Sequence, residues 1–462
     1  MESNTGNGWE TVGGEYFDAA DVYEQELRTV FARSWQFIGH ESMVQQPGDF
    51  VSLPMGNDAI VLWRDGASGK ARAYLNKCRH RGNKLCLHDR GKANSFTCSF
   101  HGWTYGTGGQ LTGVPREKEA YRVPLDRDRL GLVEVPRVEA VGGMLFGNWD
   151  PAAPALREYL GEAAPLLERY VDNAGLGGLQ FLPQPQKYIM PVNWKLLAEN
   201  FAGDDYHFKV THASVISLMK QNPAAALSHG LQKERRFTVA TNFGTGAAHG
   251  FLELKVGPEA YEEDLAKADK LGPEAVEWVR HRHQVISDGE DDLAYAFHAG
   301  NVFPNLALIG ISSALYASGF LLWIPRGPHE TEIVQWAAVD RDAPDVVKRR
   351  AVMVLKDRQA AAGMVAPDDH ENFERIAANV RGTVSRTVPF DYSMAAGIAE
   401  QFPDPDDADY AARWAQRGLG TLFPQVSEAN QREFYRTWDS YLRGGASGAA
   451  PVTSEPHRRG QT

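Results

Sequence analysis

CRHRGNKLCLHDRGKANSFTCSFHGWTY, residues 78–105, carries all three cysteines of this 462-residue chain, and Cys78 and Cys98 each have a histidine, His80 and His101, within three positions. The pattern is C-x-H at 78–80, seventeen intervening residues, then C-x-x-H at 98–101. Thiolate and imidazole held this close together are candidate metal ligands. A zinc finger would group like with like, C-x2-4-C with H-x3-5-H, whereas each loop here offers one of each. Three cysteines in such a length cannot form a disulfide framework, so metal ligation or burial has to account for them. On either side run short β-rich segments, FVSLP, AIVLWR, ARAYL and GMLFGNW, separated by the turn clusters DGASGK and GTGGQ. The stretch from Phe37 to Asp150 therefore reads as a small all-β domain that presents the two loops.

A Rieske 2Fe-2S centre uses such a mixed set. Two cysteines hold one iron and two histidines the other, and imidazole in place of thiolate raises the potential to about -150 to +300 mV. Cys78, His80, Cys98 and His101 are the candidate ligands; four zinc-binding or purely structural residues are the alternative. CRHRGNKL and CSFHGWTY, preceded by WQFIGHESMVQQPGDF, resemble the large subunits of Rieske non-haem iron aromatic-ring-hydroxylating oxygenases, in which the matching positions hold the cluster. Cys86 has no cysteine counterpart in the second loop, so it reads as a buried free thiol. Lys77, Arg79, Arg81, Lys84, Arg90 and Lys92 make the loops basic within an acidic chain. That charge suits docking of an acidic ferredoxin, or simple solubilisation of the loops.

A Rieske centre moves single electrons, so an oxygenase also needs an iron with open positions, held by two histidines and one carboxylate. Residues 193–212, NWKLLAENFAGDDYHFKVTH, supply candidates. Trp194, Leu197, Ala198 and Phe201 recur at i, i+3, i+4 and i+7, which marks a core-facing helical stripe beside Asn200 and Asp204. His207 and His212 would stand about 140° apart on an unbroken helix, so the chain has to bend between them. ENFAGDDYHFKVTHAS resembles the iron-binding segment of the same family. The resemblance makes His207 and His212 ligands and Asp204 a bridging aspartate, which links His207 to a cluster histidine, His101, of a neighbouring subunit. By its i, i+3 spacing Asp204 shares the helical side of His207, and Asp205 reads as a surface acid. The family's third ligand lies downstream, at VAPDDHENFE here. Phe373, Ile376, Ala377 and Val380 form the stripe of a helix over 367–381; Asp369 falls on it, while Asp368 lies about 100° off and reads as a solvated first-turn or capping residue. An ordinary helix N-terminal acid is the bland alternative for Asp369. His281 and His283, two apart on a helix, do not converge on one ion.

The remaining chain sets the architecture. Residues 18–36 read as one helix, with Tyr23, Leu27, Val30, Phe31 and Trp35 as its stripe. PAAPALREYL opens a helical stretch, and GLGGLQFLPQPQ reads as a connection. SALYASGFLLWI and TEIVQWAAV read as long strands joined by PRGPHE in a hairpin, and 344–362 and 367–381 as helices. The fold class is α+β: a Rieske domain over 37–150, a larger catalytic domain over 1–36 and 151–442 with an antiparallel sheet covered by helices, and a flexible tail over 443–462. A net charge of -11 disfavours nucleic acid and anionic membranes, and no apolar run is long enough to span a bilayer or serve as a signal peptide, so the cytoplasm is expected.

The resemblance implies a terminal oxygenase that adds dioxygen across an aromatic ring as a cis-dihydrodiol, with one 2Fe-2S cluster and one mononuclear Fe(II). Electrons would come from NAD(P)H through a reductase and ferredoxin. The segment SEANQREFYRTWDSYL further implies a small beta subunit, in an assembly of three plus three. Asn200, Phe201, Phe208, Phe297, His298, Leu306, Leu308, Met364 and Val365 are candidate site or pocket residues. Two other readings stay open: a Rieske monooxygenase or demethylase, and a Rieske carrier or zinc-stabilised binding module without a catalytic iron.

Overall fold

A computed structural model describes residues 10–171, 176–221, 235–255, 259–287, 297–310, 313–396 and 405–444. The chain divides into two compact units, one of Gln25–Leu156 with Gly444–Thr462, the other of Met1–Glu24 with Arg157–Arg443. Of the segment expected as a tail, 445–462 falls outside the described residues.

Among the described residues the smaller unit holds three antiparallel sheets. Strands Ala71–Leu75, Asp58–Arg64, Asp49–Met55 and Arg90–Lys92 lie side by side in that order. A second sheet has three strands, Ser95–Thr97, Thr104–Gly106 and Leu111–Gly113. The third sheet pairs Met144–Asn148 with Arg137–Val141 on one side and Gln36–His40 on the other. Phe50, Trp63, Phe96, Trp103 and Tyr105 form one buried cluster with Cys78, Cys86 and Cys98, so the cysteines are roots of the loops in the core.

The expected helix over 18–36 is shorter. An α-helix over Ala20–Glu26 widens into a π-helical turn over Leu27–Phe31, and Gln36–His40 is a strand. The Ser34 hydroxyl donates to the Val30 carbonyl at 2.7 Å, which helps to end the helix, and Phe37 and Ile38 are then buried within strand Gln36–His40 rather than on a helical face.

The larger unit is built on an antiparallel sheet whose centre runs His249–Lys255, Phe297–Val302, Leu306–Ile309, Ser318–Gly327 and Glu330–Asp340. The last two strands form the expected hairpin, although the first begins at Ser318, later than the apolar run suggests. Leu179–Phe181, within the stretch read as a connection, is also a strand and pairs with Glu330–Asp340. Helix Trp194–Gly203 lies across the central strands, and the C-terminal helix Ala429–Leu442 packs beside it. Asn193 caps the former, its side chain accepting from the Lys195 N–H at 3.1 Å. Trp194, Leu196, Leu197, Ala198 and Ala202 are buried, which anchors this helix and so fixes the position of Asp204 and His207 just beyond its C-terminus.

Candidate metal centres

In the smaller unit the two loops share one backbone plan. Cys78 donates its N–H to the Asn83 carbonyl and accepts at its own carbonyl from Gly82 N–H, at 2.8 and 2.9 Å; Cys98 does the same with Trp103 and Gly102, again at 2.8 and 2.9 Å. Gly82 and Gly102 close the turns with φ of +78° and +71°. The loops therefore correspond residue by residue, with the histidine displaced by one position. The displacement brings the His80 and His101 rings to 4.6 Å between centroids at 79°, and His80 stacks on Trp103 at 4.9 Å. Both thiols are buried, at 2% exposure.

These side chains suit a cluster with buried sulfur and outward imidazole. His80 Nδ1 is buried without a hydrogen-bond partner, which is what a ring nitrogen reserved for a metal leaves. Burial pushes the Cys98 thiol up, but backbone N–H groups of Phe100 and His101 and the Asn83 amide at 3.7 Å outweigh it and hold it below the ordinary thiol value. Tyr105 Oη lies 3.6 Å from Cys78 Sγ and accepts from the Arg79 N–H at 3.1 Å. Cys86 is the expected buried thiol: burial raises its pKa, and it donates to the His88 carbonyl at 3.2 Å. Of the basic residues, Lys77, Arg81, Lys84, Arg90 and Lys92 are exposed, and Arg81 donates to His101 Nε2 while lying over the exposed Phe100 ring.

In the larger unit, helix Trp194–Gly203 ends at Asp204, whose extended backbone (φ -82°, ψ 91°) caps it. The chain bends there and again at His212, so that His207 and His212 bracket the single turn Phe208–Thr211. Helix Ala366–Val380 supplies Asp369 in its first turn. Asp369 Oδ1 lies 3.4 Å from His207 Nε2 and 3.3 Å from His212 Nε2, and donor atoms of all three residues fall within 4.8 Å of one another. Two imidazoles and one carboxylate thus converge on one point. Asp204 Oδ1 stands 3.3 Å from His207 Nδ1. That closeness comes from the turn after the helix, not from a shared helical side. Among the described residues no lysine or arginine pairs with Asp204, Asp368 or Asp369, so the acids call for a cation. Burial works against a charged His207, but the nearby carboxylates of Asp204, Asp369 and Asp205 prevail and raise its pKa. A divalent ion with N/O preference fits this donor set.

Two expectations are corrected. Asp368, expected as a solvated first-turn or capping residue, does lie in the first turn with its side chain 32% exposed, but it also places Oδ2 3.3 Å from His212 Nδ1. Asp205, expected as a surface acid, is 4% exposed and accepts from the Gln425 amide. Sequence reasoning also passed over Glu199, whose carboxyl accepts from Tyr392 Oη at 2.8 Å and from Tyr435 Oη; burial lifts its pKa to about 8. Its position beside Asn200 and five before Asp204 was the available signal.

Of the pocket candidates, Phe208 packs edge-on against His212 at 5.5 Å and Phe201 against Trp323 at 5.2 Å. The Asn200 carbonyl accepts the Asp204 N–H at 3.0 Å. Leu306 and Leu308 are buried in the sheet, and Met364 and Val365 are half-buried before helix Ala366–Val380. Phe297 and His298 lie in strand Phe297–Val302, and their side chains fall outside what is described. His281 and His283 lie on helix Pro273–Ser287, where His283 stacks on Tyr261 at 3.8 Å.

Comparison with known proteins places both centres in context. Residues 34–135 match the Rieske [2Fe-2S] domain, and residues 179–444 match the ring hydroxylating alpha subunit (catalytic domain). The large oxygenase component of the naphthalene 1,2-dioxygenase system of Pseudomonas aeruginosa is 34% identical over 432 residues, covering 91% of this chain and 89% of that protein. The biphenyl 2,3-dioxygenase subunit alpha of Rhodococcus jostii is 34% identical over 92% of this chain and 86% of its own length. A solved naphthalene 1,2-dioxygenase with indole bound in the active site superposes with a TM-score of 0.77 at 29% identity, covering 96% of this chain and 95% of that one.

Proposed function

The chain belongs to the family of ring-hydroxylating dioxygenase alpha subunits, and from that premise we infer that it adds both atoms of dioxygen to one bond of an aromatic ring, giving a cis-dihydrodiol. It is a Rieske non-haem iron oxidoreductase, the large component of a system that also comprises a beta subunit and electron-transfer proteins. When bound, the cluster delivers electrons and the mononuclear iron activates dioxygen. The observation that carries the reading is the convergence of His207, His212 and Asp369 on one point, in a chain whose other unit holds two cysteine–histidine loops.

Each residue then has a task. Cys78, Cys98, His80 and His101 hold the cluster, and residues 37–150 act as its domain. His207, His212 and Asp369 would hold the catalytic iron, which would supply the activation of dioxygen beside the substrate. Asp204 keeps the Nδ1 proton of His207, fixes its tautomer and connects it to His101 of the neighbouring subunit. Asn200 holds Asp204 at the helix end through its carbonyl. Phe201 and Phe208 flank the site with apolar surface that orients a flat ring and excludes water, and Leu306, Leu308, Met364, Val365, Phe297 and His298 complete its walls. The named relatives act on naphthalene and biphenyl, so an uncharged ring of one of these sizes is the substrate class.

Among the described residues no helix is long and apolar enough to cross a membrane; work in the cytoplasm alongside a reductase is part of the proposal. The assembly proposed is three alpha with three beta subunits, reduced by a ferredoxin that meets the basic loops. Turnover of naphthalene and biphenyl with a matched reductase under labelled dioxygen tests the reading. Two labelled atoms per product support it; one labelled atom indicates a monooxygenase, and zinc in place of iron overturns it.

A further inference from the structure

We propose that Asp368 is a positioning residue for His212, doing for that ring what Asp204 does for His207; this rests on the assignment of His207, His212 and Asp369 to the iron. His212 is 3% exposed and touches a carboxylate at each nitrogen: Asp368 Oδ2 lies 3.3 Å from Nδ1, and Asp369 Oδ1 lies 3.3 Å from Nε2. Two consecutive helical residues point about 100° apart, which lets one pair of side chains flank both edges of a single ring. The arrangement repeats on His207, with Asp204 Oδ1 3.3 Å from Nδ1 and Asp369 Oδ1 3.4 Å from Nε2. Each imidazole thus has its own acid on the outer nitrogen, and both share one acid on the inner side.

Asp368 itself is held. Its N–H donates to the Val365 carbonyl and its carbonyl accepts from the Asn372 amide, both at 3.1 Å. A carboxylate that accepts from Nδ1–H directs the Nε2 lone pair inward, toward the point shared with His207 and Asp369. A helix N-terminal acid that served only the dipole would not need to meet a ring nitrogen 156 positions away in sequence. Because Asp368 touches a ligand and not substrate, its effect is on how well His212 is aimed.

The test uses the full chain, purified as its native assembly, with Asp368→Ala, Asp368→Asn and Asp369→Ala. The readouts are mononuclear iron retained against a graded chelator, and the visible bands of Co(II) substituted into that site, with cluster absorption and melting temperature as controls for folding. The expected result is a ~10–100-fold loss of metal affinity in Asp368→Ala with altered Co(II) bands, a smaller loss in Asp368→Asn, whose amide oxygen can still accept, and an unchanged cluster. If Asp368→Ala unfolds, Asp368→Asn alone carries the comparison. Wild-type affinity and Co(II) bands in the Asp368 variants, together with iron loss in Asp369→Ala, would overturn this role and leave the iron site standing. Iron retained by Asp369→Ala would instead undo the site assignment itself.

Discussion

Asp204 and Glu199 lie on the same few turns of chain and are put to opposite uses by their surroundings. Asp204 lies 3.3 Å from His207 Nδ1, and in its proposed role beside the iron Asp204→Asn should keep both metals while turnover falls by about 10–100-fold or more. Metal content and product formation on one preparation check this, and full turnover by the variant would refute the role. Glu199 is half-buried beneath Tyr392 and Tyr435, and desolvation there raises its pKa to about 8 against 4.5 for the free group. The folded protein therefore keeps its proton where the unfolded chain has lost it. Stability from the neutral acid is complete below about pH 4.5 and drains away as pH rises to about 8. Glu199→Gln keeps an acceptor for Tyr392 and Tyr435 without that ionisation, so its melting temperature should gain on the wild type from pH 5 to pH 8; a constant difference would argue against a buried neutral acid. The three iron candidates were legible because ENFAGDDYHFKVTHAS and VAPDDHENFE resemble the family's iron-binding segments, with helical periodicity choosing Asp369 over Asp368. Asp368 and Asp205 were not, because helical periodicity measures a residue against its own stripe, and their partners, His212 and Gln425, arrive from distant segments.

At the level of elements, the convergence of His207, His212 and Asp369 depends on how closely helix Trp194–Gly203 lies on the sheet. Gly250, in strand His249–Lys255, sits directly beneath the helix end: a Cβ there would collide with the Ala202 carbonyl and stand 3.0 Å from its Cα. Backbone atoms on both sides leave nothing flexible to move. Gly250→Ala should therefore lift the helix end, costing roughly 1–3 kcal/mol in denaturant unfolding and weakening iron retention at His207, because Asp204 comes two residues after the displaced carbonyl. Wild-type stability and metal content would mean that helix and strand do not meet this closely. Asn430 ties the same layer together, donating to the Val239 carbonyl at 3.0 Å and to the Phe251 carbonyl at 3.3 Å. Periodicity in sequence found this helix, the hairpin and helix Ala366–Val380, since each buries one regular face. It overran helix Ala20–Glu26 and missed strand Leu179–Phe181. In both places pairing with a distant strand, which no local pattern encodes, decides the conformation.

For the molecule as a whole, electrostatics and assembly carry the argument. Exposed Lys77, Arg81, Lys84, Arg90 and Lys92 surround the cluster loops on a chain of net charge -11, with the apolar Leu87 and Phe100 exposed among them. Reduction by an acidic ferredoxin should therefore slow as salt is raised, because the Debye length falls from about 10 Å at 0.1 M to about 3 Å at 1 M. A reduction rate independent of ionic strength in stopped flow would remove the electrostatic docking. The proposed route from His101 of one subunit to Asp204 of the next has a sharper consequence. A chain with His101→Ala should lack a working cluster but keep its catalytic iron site, and a chain with Asp369→Ala should do the reverse. Each alone is inactive under either route. If electrons stay within a chain, co-expressed mixtures are inactive as well. If they cross, a site works whenever a chain with intact iron ligands receives from a neighbour with an intact cluster. In a randomly mixed closed ring that holds for about one site in four. Activity near a quarter of wild type in the equal mixture, absent from both parents and scaling with the product of the two fractions, is the expected outcome; its absence, with assembly confirmed by native mass spectrometry, would return the electron path to a single chain.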